Sequence, residues 1–248
     1  RVCDWVYRQV DRIVVLSPGF KRLLVERKVP ESKIEVIYNW CAEDALKATE
    51  GGPPPSLTDK SGFHILFAGN MGKAQALDAV LETARILQAR APNLAFVFLG
   101  GGVEVDHLKE VSEDAGLSNV TFLPPVPMSE VGKYLSAADV LLVHLKQDPL
   151  FRITIPSKTQ AYMAVGKPIL MAVDGDAADL VMQSAGGRIA RSGDPESIAD
   201  AALALAQTSE EERSAMAERN KRFYREKLSL VVGVRRFAKL FNQLAARS

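Results

Sequence analysis

The chain has 248 residues, of which 47% are hydrophobic and 25% charged, and its formal net charge is +1. This length allows one large domain or one and a half smaller ones, and the composition excludes a disordered or fibrous protein. The sequence has no apolar run that could span a bilayer and no secretory signal pattern, and its two cysteines make neither a disulfide framework nor a metal site, which favours a reducing, cytoplasmic setting.

Charge is distributed unevenly along the chain. Residues 1–33 carry eight basic and four acidic side chains, residues 213–248 carry ten basic and two acidic, and the middle is acidic. The ordinary interpretation is two solvated basic helical faces. The alternative is one lobe, built from both ends, that faces an anionic surface such as phospholipid headgroups. Nucleic acid is not expected as a partner, because the basic stretches contain no motif that reads it.

The first 40 residues predict a strand–helix–strand unit that follows the end of a helix. The expected elements are a helix over 1–9, a strand over 12–16, a helix over 20–27 capped by Ser17, and a strand over 34–38. Such a unit is too small to hold its own core, so we expect 1–40 to be the remnant of a domain whose earlier part is absent. Residues 41–61, with a glycine–proline run at 51–55, are expected to be an interdomain linker.

From residue 62 to 210, strand patterns alternate regularly with helical patterns. Strands are expected at 64–68, 94–99, 120–122, 140–144, 169–173 and 187–189, and helices at 77–89, 105–115, 128–137, 159–165, 177–184 and 195–207. This alternation predicts an α/β fold, a doubly wound, Rossmann-like parallel sheet with helices on both faces. In such a sheet, ligands bind at the carboxyl ends of the strands.

Residues 211–248 predict a helical tail that is broken near 228–232. Its apolar residues form one stripe beneath three basic residues, Arg235, Arg236 and Lys239; the stripe consists of Val231, Val234, Phe237, Ala238, Phe241 and Leu244. A stripe of this kind packs on its own protein more often than it enters a membrane, so we expect it to pack.

The first chemical motif follows the strand at 64–68. Gly69, Asn70 and Gly72 make a turn, and Lys73 precedes a helical pattern. Free N–H groups and the helix dipole favour an anion at a helix start, and Lys73 adds a full charge. The turn therefore predicts a phosphate site, with an ordinary surface turn as the alternative. Three glycines beginning with Gly100 follow the next strand on the same edge, but they lack the spacing of a nicotinamide dinucleotide fingerprint.

The second motif lies in a stretch, residues 149–173, that contains no carboxylate. Pro156, Ser157 and Lys158 precede a helix there, and Ser157 is expected to cap it with Lys158 near its start. Two such sites on one sheet edge support each other, because a diphosphate needs several convergent donors. The sequence contains no hydrolase, zinc-protease, Walker or kinase signature that competes with this interpretation. The scattered histidines, His64, His107 and His144, are expected to be packed or surface residues rather than ligands.

In order along the chain, several segments resemble one family. DRIVVLSPGFKRLL and KIEVIYNW at the start are followed by FAGNMGKAQALDAVLETA, FVFLGGG, NVTFLPPVPMSEVGKYLSAADVLLV and IPSKTQAYMAVGKPIL. Together they resemble the nucleotide-sugar-dependent glycosyltransferases of family 4, which have the two-domain GT-B fold, and most closely a bacterial branch that builds lipopolysaccharide, O-antigen or capsule. The resemblance implies that the chain is the C-terminal half of a GT-B fold, with 62–210 as the donor-binding domain and 211–248 as helices crossing back toward the N-terminal domain.

The resemblance also implies roles for individual residues. Lys73 matches a lysine that holds the donor's diphosphate, while Asn70 stands where an arginine is common. Ile153 and Ala161 occupy the places of two family glutamates, the second of which usually binds the ribose; Ser157 and Gln160 are expected to bind there instead, and Lys158 to replace the lost arginine charge. The loop 122–128 matches a segment that lines the base pocket. The donor-binding residues implied are Gly69, Asn70, Gly72, Gly100, Gly101, Pro124, Val126, Pro156, Ser157 and Gln160.

The implied reaction is transfer of a sugar from a UDP- or GDP-linked donor to a hydroxyl of a lipid-linked or other glycan acceptor. Retention at the anomeric carbon is implied, with no metal and no cofactor; Lys73 and Lys158 would stabilise the leaving diphosphate, and no residue is assigned as nucleophile or base. We expect this chain to bind donor but not turn over alone, and to lie near the inner membrane. The alternatives are a nucleotide-sugar epimerase, a non-catalytic sugar-nucleotide-binding module, and a structural fragment without a ligand.

Overall fold

A computed structural model describes residues 2–46, 57 and 62–246. At the start, helices α1 (Val2–Gln9) and α2 (Pro18–Glu26) accompany two parallel strands, β1 (Ile13–Val15) and β2 (Ile34–Val36). Ser17 caps α2 as predicted, because its Oγ accepts a hydrogen bond from the Phe20 backbone N–H. The buried core of this unit is small and consists of Val15, Leu24, Val29 and Ile34.

The main sheet has six parallel strands. They are β3 (Phe63–Ala68), β4 (Leu94–Leu99), β5 (Val120–Leu123), β6 (Val140–His144), β7 (Ile169–Ala172) and β8 (Gly187–Ile189). Their spatial order is β5-β4-β3-β6-β7-β8, so the chain starts in the middle of the sheet and winds outward in both directions. The predicted doubly wound α/β sheet is confirmed, and its switch point lies between β3 and β6.

Nine helices follow the N-terminal unit in the described residues. They are α3 (Asp78–Arg90), α4 (Val105–Asp114), α5 (Met128–Ala137), α6 (Pro149–Arg152), α7 (Ser157–Val165), α8 (Asp176–Ser184), α9 (Pro195–Gln207), α10 (Glu210–Phe223) and α11 (Leu230–Ala245). One core lies between the sheet and α3, α4 and α9, and a second lies between the opposite face and α5, α7 and α8. Alternation along β3 divides the two cores, because Ile65 and Phe67 enter the first while Leu66 and Ala68 enter the second.

One short helix was not predicted. Asp148 begins α6 by accepting a hydrogen bond from the Leu150 backbone N–H at 2.8 Å, and Pro149 occupies the first helical position. Four residues are too few to display a helical period, so the pattern alone could not reveal this turn.

The C-terminal tail breaks where the sequence predicted. A π-helical turn (Tyr224–Leu228) ends α10, and the Ser229 hydroxyl caps α11. Helix α11 returns to the start of the chain, where Arg236 forms a 2.8 Å ion pair with Glu35. The division of the chain into domains stays a prediction.

The apolar stripe of α11 does not pack as expected. Val231, Val234 and Phe241 are 61%, 52% and 62% exposed, whereas Gly233 and Leu240 lie on the buried side of the helix. The expectation that this stripe packs against the chain is therefore wrong for these three side chains within the part that the structure describes. Among the described helices, none has both the length and the apolar character needed to cross a membrane.

A buried carboxylate joins the N-terminal unit to the main sheet. Asp176, at the start of α8, is 2% exposed and accepts hydrogen bonds from the Gly19 backbone N–H at 2.5 Å and the Arg22 guanidinium at 2.9 Å. The Ser17 hydroxyl donates to the Ile153 carbonyl nearby. A charge buried this deeply requires such partners, so the N-terminus of α2 is fixed against the edge of the sheet.

The predicted linker is also fixed to the C-terminal part of the chain, at Glu43. Glu43 accepts hydrogen bonds from the Tyr224 hydroxyl at 2.8 Å and from the Leu230 backbone N–H at 2.9 Å. Residues Glu43–Leu46 form a 3₁₀ turn, so the predicted linker is not irregular throughout. Its glycine–proline run at 51–55 lies outside the described residues.

Candidate functional site

The loops that follow β3 and β4 are joined by backbone hydrogen bonds at the carboxyl edge of the sheet. The Gly69 N–H donates to the Leu99 carbonyl at 2.8 Å, and the Met71 N–H donates to the Gly101 carbonyl at 2.7 Å. Strand pairing therefore continues past the ends of both strands. The loops at residues 69–72 and 100–102 therefore form one continuous surface, which we call the ledge. It lies beside the switch point, where open α/β sheets bind ligands.

Glycine is required where these two loops meet. Gly100 has a φ of +139°, and a β-carbon there would lie 2.2 Å from the Gly69 carbonyl oxygen. No side chain fits at that distance. The sequence singled out both glycines as donor-binding residues, and the structure places them in contact. Their role in binding stays a prediction.

Lys158 reaches the same ledge from the first turn of α7. Its Nζ lies 3.4 Å from the centre of the Phe67 ring, and 3.5 Å from the point where a β-carbon on Gly69 would stand. The Nζ atom is buried and has no hydrogen-bond partner among the described residues. Burial lowers the pKa of Lys158 to about 7. A buried amine that contacts only an aromatic ring lacks the anionic partner that such a group requires.

Lys73 lies on the loop after β3, but not at a helix start. Helix α3 begins at Asp78, five residues later, and Lys73 is an exposed residue of a turn in which the Gln75 N–H donates to the Gly72 carbonyl at 3.0 Å. Ala76 has a positive φ of 43°, which interrupts the helical path. The helix predicted at 77–89 is observed at Asp78–Arg90, so Lys73 lies in the turn before the helix and not in its first turn. That Lys73 and Lys158 converge on one diphosphate stays a prediction.

The turn that carries Lys73 is anchored from β6. The Gln75 side-chain oxygen accepts from the Gly72 N–H at 3.1 Å, and the Gln75 carbonyl oxygen lies 2.5 Å from Nδ1 of His144. The Lys146 N–H donates to the Ala74 carbonyl at 2.9 Å. His144 is fully buried, in line with the expectation of a packed histidine. Sequence reasoning missed its link to this turn; the available signal was a histidine that ends an apolar strand at the ligand edge.

The second motif differs from its prediction at the cap. Pro156, not Ser157, is the residue before α7, and no side chain caps this helix; Ser157 is its exposed first residue. The expected Ser157 cap is therefore wrong. Gln160 is buried, and in the orientation that satisfies its amide the nitrogen donates to the Pro156 and Ser157 carbonyls at 2.9 and 3.0 Å. The donor-binding roles of these three residues stay predictions.

The remaining predicted donor residues lie in the loops after β3 and β5. Asn70 is exposed beside Gly72, Pro124 is exposed at the end of β5, and Val126 is half-buried against the second core. At the two positions of the missing glutamates, Ile153 and Ala161 are half-buried apolar residues. No three His, Cys, Asp or Glu side chains gather as a metal site within residues 2–46, 57 and 62–246.

The sequence matches a family model at the residues that build this site. The model is described as glycosyl transferases group 1 and matches residues 62–208, which is more than half of the chain. The chain belongs to the glycosyl transferases group 1 family. The resemblance inferred from the motifs is confirmed at this level, and the family match spans the whole six-stranded sheet.

Curated relatives of this glycosyl transferase family member include two bacterial proteins that are themselves named as glycosyltransferases. It is 27% identical over 177 residues to the probable glycosyltransferase WbjE of Pseudomonas aeruginosa, covering 70% of this chain and 44% of that protein. It is 25% identical over 162 residues to the putative colanic acid biosynthesis glycosyl transferase WcaI of Escherichia coli strain K12, covering 63% and 39%. The chain thus spans less than half the length of these relatives.

A solved structure confirms the fold of this family member. HepE of Anabaena, determined in complex with UDP, superposes with a TM-score of 0.82 at 15% identity, over 97% of this chain and 66% of HepE. An identity this low supports the fold alone. The predicted Rossmann-like half of a GT-B fold is confirmed.

Proposed function

We propose that this protein binds a nucleoside diphosphate sugar at the ledge after β3 and transfers the sugar to a hydroxyl group. The observation that carries the proposal is the Lys158 ammonium, whose nitrogen is buried against Phe67 beside Gly69 without a hydrogen-bond partner among the described residues. A diphosphate at this ledge would give the buried nitrogen its anion. Family membership supports the same conclusion.

In the proposed reaction, the two lysines act on the leaving group. As the glycosidic bond breaks, negative charge accumulates on the departing diphosphate, and Lys73 and Lys158 stabilise it electrostatically. We propose that the transfer retains the configuration at the anomeric carbon. We also propose that these lysines supply the charge stabilisation that a metal ion supplies in other transferases. No residue of this chain is assigned as nucleophile or general base.

The donor is a UDP- or GDP-linked sugar. UDP is the better first candidate, because HepE was determined with UDP bound and shares the fold of this chain. Ala161 and Ile153 provide no carboxylate for the ribose. Ribose recognition therefore has to use other groups, such as the hydroxyl of the exposed Ser157 or backbone groups of the loop after β5.

Titration calorimetry with UDP and GDP tests the proposal. We expect the wild-type chain to bind one of them, and Lys158→Met to weaken that binding by about tenfold or more, because it removes a charge-assisted contact. Methionine keeps the length and packing of the side chain over Phe67, so the fold should persist. Lys73→Ala should also weaken binding. Lys227→Ala, which removes an exposed lysine of the π-helical turn, serves as the matched control and should leave affinity unchanged.

Absence of binding of both nucleotides by the folded wild-type chain would overturn the proposed function. Equal affinities in wild type and Lys158→Met would overturn the role of the buried lysine. An epimerase on the same fold would need acid–base groups near the sugar, and the carboxylate-free segment 149–173 disfavours it. A non-catalytic binding module remains an alternative because both glutamate positions are apolar; donor hydrolysis by the longer protein would exclude it.

We propose that the acceptor is a lipid-linked glycan and that the product enters a bacterial surface polysaccharide. The name of WcaI, a colanic acid biosynthesis glycosyl transferase, supports this class of product. We further propose a cytoplasmic location with contact to the inner membrane, supported by the exposed apolar residues Val231, Val234 and Phe241, which lie beside basic residues of α11.

We also propose that the 248 residues bind donor without turning it over, because they span less than half of WbjE and WcaI and the acceptor side is expected to lie outside them. A turnover assay with the donor sugar nucleotide and a membrane lipid extract, comparing this chain with a chain extended to the length of those relatives, tests this. Transfer only by the extended chain is expected, and equal rates would contradict the proposal.

A further inference from the structure

A single buried histidine holds the loop that carries Lys73. His144 ends β6 and is fully buried. Its Nδ1 lies 2.5 Å from the Gln75 carbonyl oxygen, and its Nε2 lies 3.2 Å from the Gly193 backbone nitrogen. A carbonyl oxygen can only accept a hydrogen bond and a backbone N–H can only donate one. Nδ1 therefore carries the proton, Nε2 does not, and the neutral imidazole is engaged on both sides.

The environment of His144 favours this neutral form. Burial lowers the pKa of His144, and the charge of Lys158 acts in the same direction, although the hydrogen bond to Gln75 opposes them. A protonated ring would also direct an N–H at the N–H of Gly193. The neutral imidazole is thus held between two loops by a hydrogen bond on each ring nitrogen.

The turn at residues 72–76 has a backbone conformation that its own residues do not favour. Ala76 has a φ of +43°, a region that costs free energy for any residue with a β-carbon. The Gln75 side chain folds back onto the Gly72 N–H instead of pointing outward. Besides His144, the anchor from the end of β6 is the hydrogen bond from the Lys146 N–H to the Ala74 carbonyl. The contact with His144 therefore fixes the carbonyl at the apex of a strained turn, two residues after Lys73.

On the other side of the imidazole, the loop that contains Gly193 is also held by hydrogen bonds. The Ser192 hydroxyl donates to the Leu145 carbonyl, and the Gln147 amide donates to the Ser192 carbonyl at 2.8 Å. These bonds tie the loop after β8 to the end of β6, so Gly193 is not free to follow a displaced histidine. Any movement of the ring is transmitted to the turn that contains Lys73.

We propose that His144 is a positioning residue for donor binding, which fixes the turn at residues 72–76 and so directs Lys73 toward the donor's diphosphate. The proposal rests on the proposed function, because it assigns a purpose to the turn only if that turn meets a diphosphate. His144 itself is not in the binding machinery and acts through the Gln75 carbonyl. Loss of its Nδ1–H would leave that carbonyl buried without its donor and allow the turn to relax.

The test compares the affinities for UDP and uridine, measured by calorimetry, in wild type, His144→Leu and His144→Asn. If the wild-type chain prefers GDP, GDP and guanosine replace them. We expect His144→Leu to weaken UDP binding by about fivefold to tenfold and to leave uridine binding unchanged, because only the diphosphate meets the turn. His144→Asn should retain most of the UDP affinity, since its amide N–H replaces Nδ1–H. His107→Asn, at an exposed histidine paired with Asp78, is the matched control and should behave as wild type.

The outcomes separate the two hypotheses. Failure of the wild-type chain to bind UDP or GDP would overturn the proposed function and this proposal together. Wild-type binding with an unchanged UDP-to-uridine ratio in His144→Leu would overturn this proposal alone, and so would an equal loss of affinity for UDP and uridine, which indicates general damage. If His144→Leu does not fold, His144→Asn and His144→Gln decide, because glutamine reaches toward Gly193 rather than Gln75. Equal ratios in these two variants would overturn the proposal.

Discussion

Lys158 has surroundings that compensate its charge only in part. Its nitrogen is buried against Phe67, and within the described ranges it has no hydrogen-bond partner. The aromatic face compensates only partly for lost hydration, which is why burial lowers the pKa of Lys158 to about 7. A buried amine of this kind costs stability, and such costs are characteristic of sites that bind a ligand.

Donor binding should therefore depend on pH through Lys158. Near pH 7 the empty site begins to lose the lysine proton, whereas a bound diphosphate favours the charged form. Binding then takes up a proton above pH 7, and UDP affinity should fall by up to about tenfold per pH unit between pH 7 and 9. Calorimetry across this range, in buffers with different ionisation enthalpies, measures both the affinity and the proton uptake.

Lys158→Met supplies the control for this dependence, because it has no proton to gain. Its weaker UDP affinity should change little over the same range, because the terminal phosphate has a second pKa of about 6 and is mostly ionised throughout it. A wild-type affinity that is equally flat would contradict a titrating Lys158. His144 should not contribute, since burial keeps its pKa below the ordinary value of a histidine.

At this scale, the sequence predicted which residues lie at the carboxyl edge of the sheet better than it predicted their geometry; their roles in binding stay predictions. Lys158 and the glycines could be named because residue type and position after a strand are visible in the pattern. The turn at Lys73 could not, because the positive φ of Ala76 and the bond from Gln75 to His144 depend on contacts between distant segments. Ser157 was predicted as a cap on residue preference alone, and the backbone instead places Pro156 there.

The elements of the fold were largely predictable. The strands at 94–99, 140–144 and 187–189 agree with β4, β6 and β8 because each is a short apolar or β-favouring run bounded by turn residues. Helices α5 and α9 also agree at both ends. The other predicted helices and strands differ from the structure by one or two residues at their ends, and α6 is too short to show a period.

The contact between the β3 and β4 loops gives a test at the level of elements. In Gly100→Ala, a methyl group would lie 2.2 Å from the Gly69 carbonyl oxygen, so the two loops must separate. We expect loss of UDP binding together with a lower melting temperature. Gly116→Ala is the matched control, since Gly116 also has a positive φ, of 61°, but its added methyl group meets nothing within 4 Å.

Comparison of the two variants separates the backbone strain of a positive φ, which both share, from the steric clash between the loops, which only Gly100→Ala causes. Gly116→Ala should cost only the 1–2 kcal/mol, roughly, of a left-handed alanine and leave UDP affinity unchanged. The comparison of UDP affinity in the two folded variants is decisive. A Gly100→Ala chain that binds UDP as wild type does would show that the ledge is not needed for binding.

At the scale of the whole molecule, the C-terminal helix contacts the N-terminal unit. Arg236 of α11 pairs with Glu35 of β2, which brings the C-terminal basic segment next to the strand that follows the N-terminal basic segment. The exposed face of α11 combines Val234 and Phe241 with Lys239, a pattern suited to an anionic lipid surface.

Vesicle co-sedimentation tests this surface. The chain should bind vesicles that contain anionic phospholipid more strongly than zwitterionic vesicles, and added salt should weaken the binding. Val234→Ser with Phe241→Ser should reduce binding by about tenfold, because each buried apolar side chain contributes on the order of 1 kcal/mol or more. Met182→Ser, at an exposed apolar residue of α8, should not. Equal binding by all variants would contradict a membrane role for α11.

The carboxylate of Asp176 has a practical consequence for how the protein is dissected. An expression boundary placed at residue 62, where the family match begins, would remove both donors that neutralise this side chain and also the Glu43 acceptor of the Tyr224 phenol. Truncated versions would lack these hydrogen bonds and would expose the Asp176 carboxylate to water, and lower stability is the expected result. The segment that matches the family model is thus shorter than the part of the chain that these hydrogen bonds hold together.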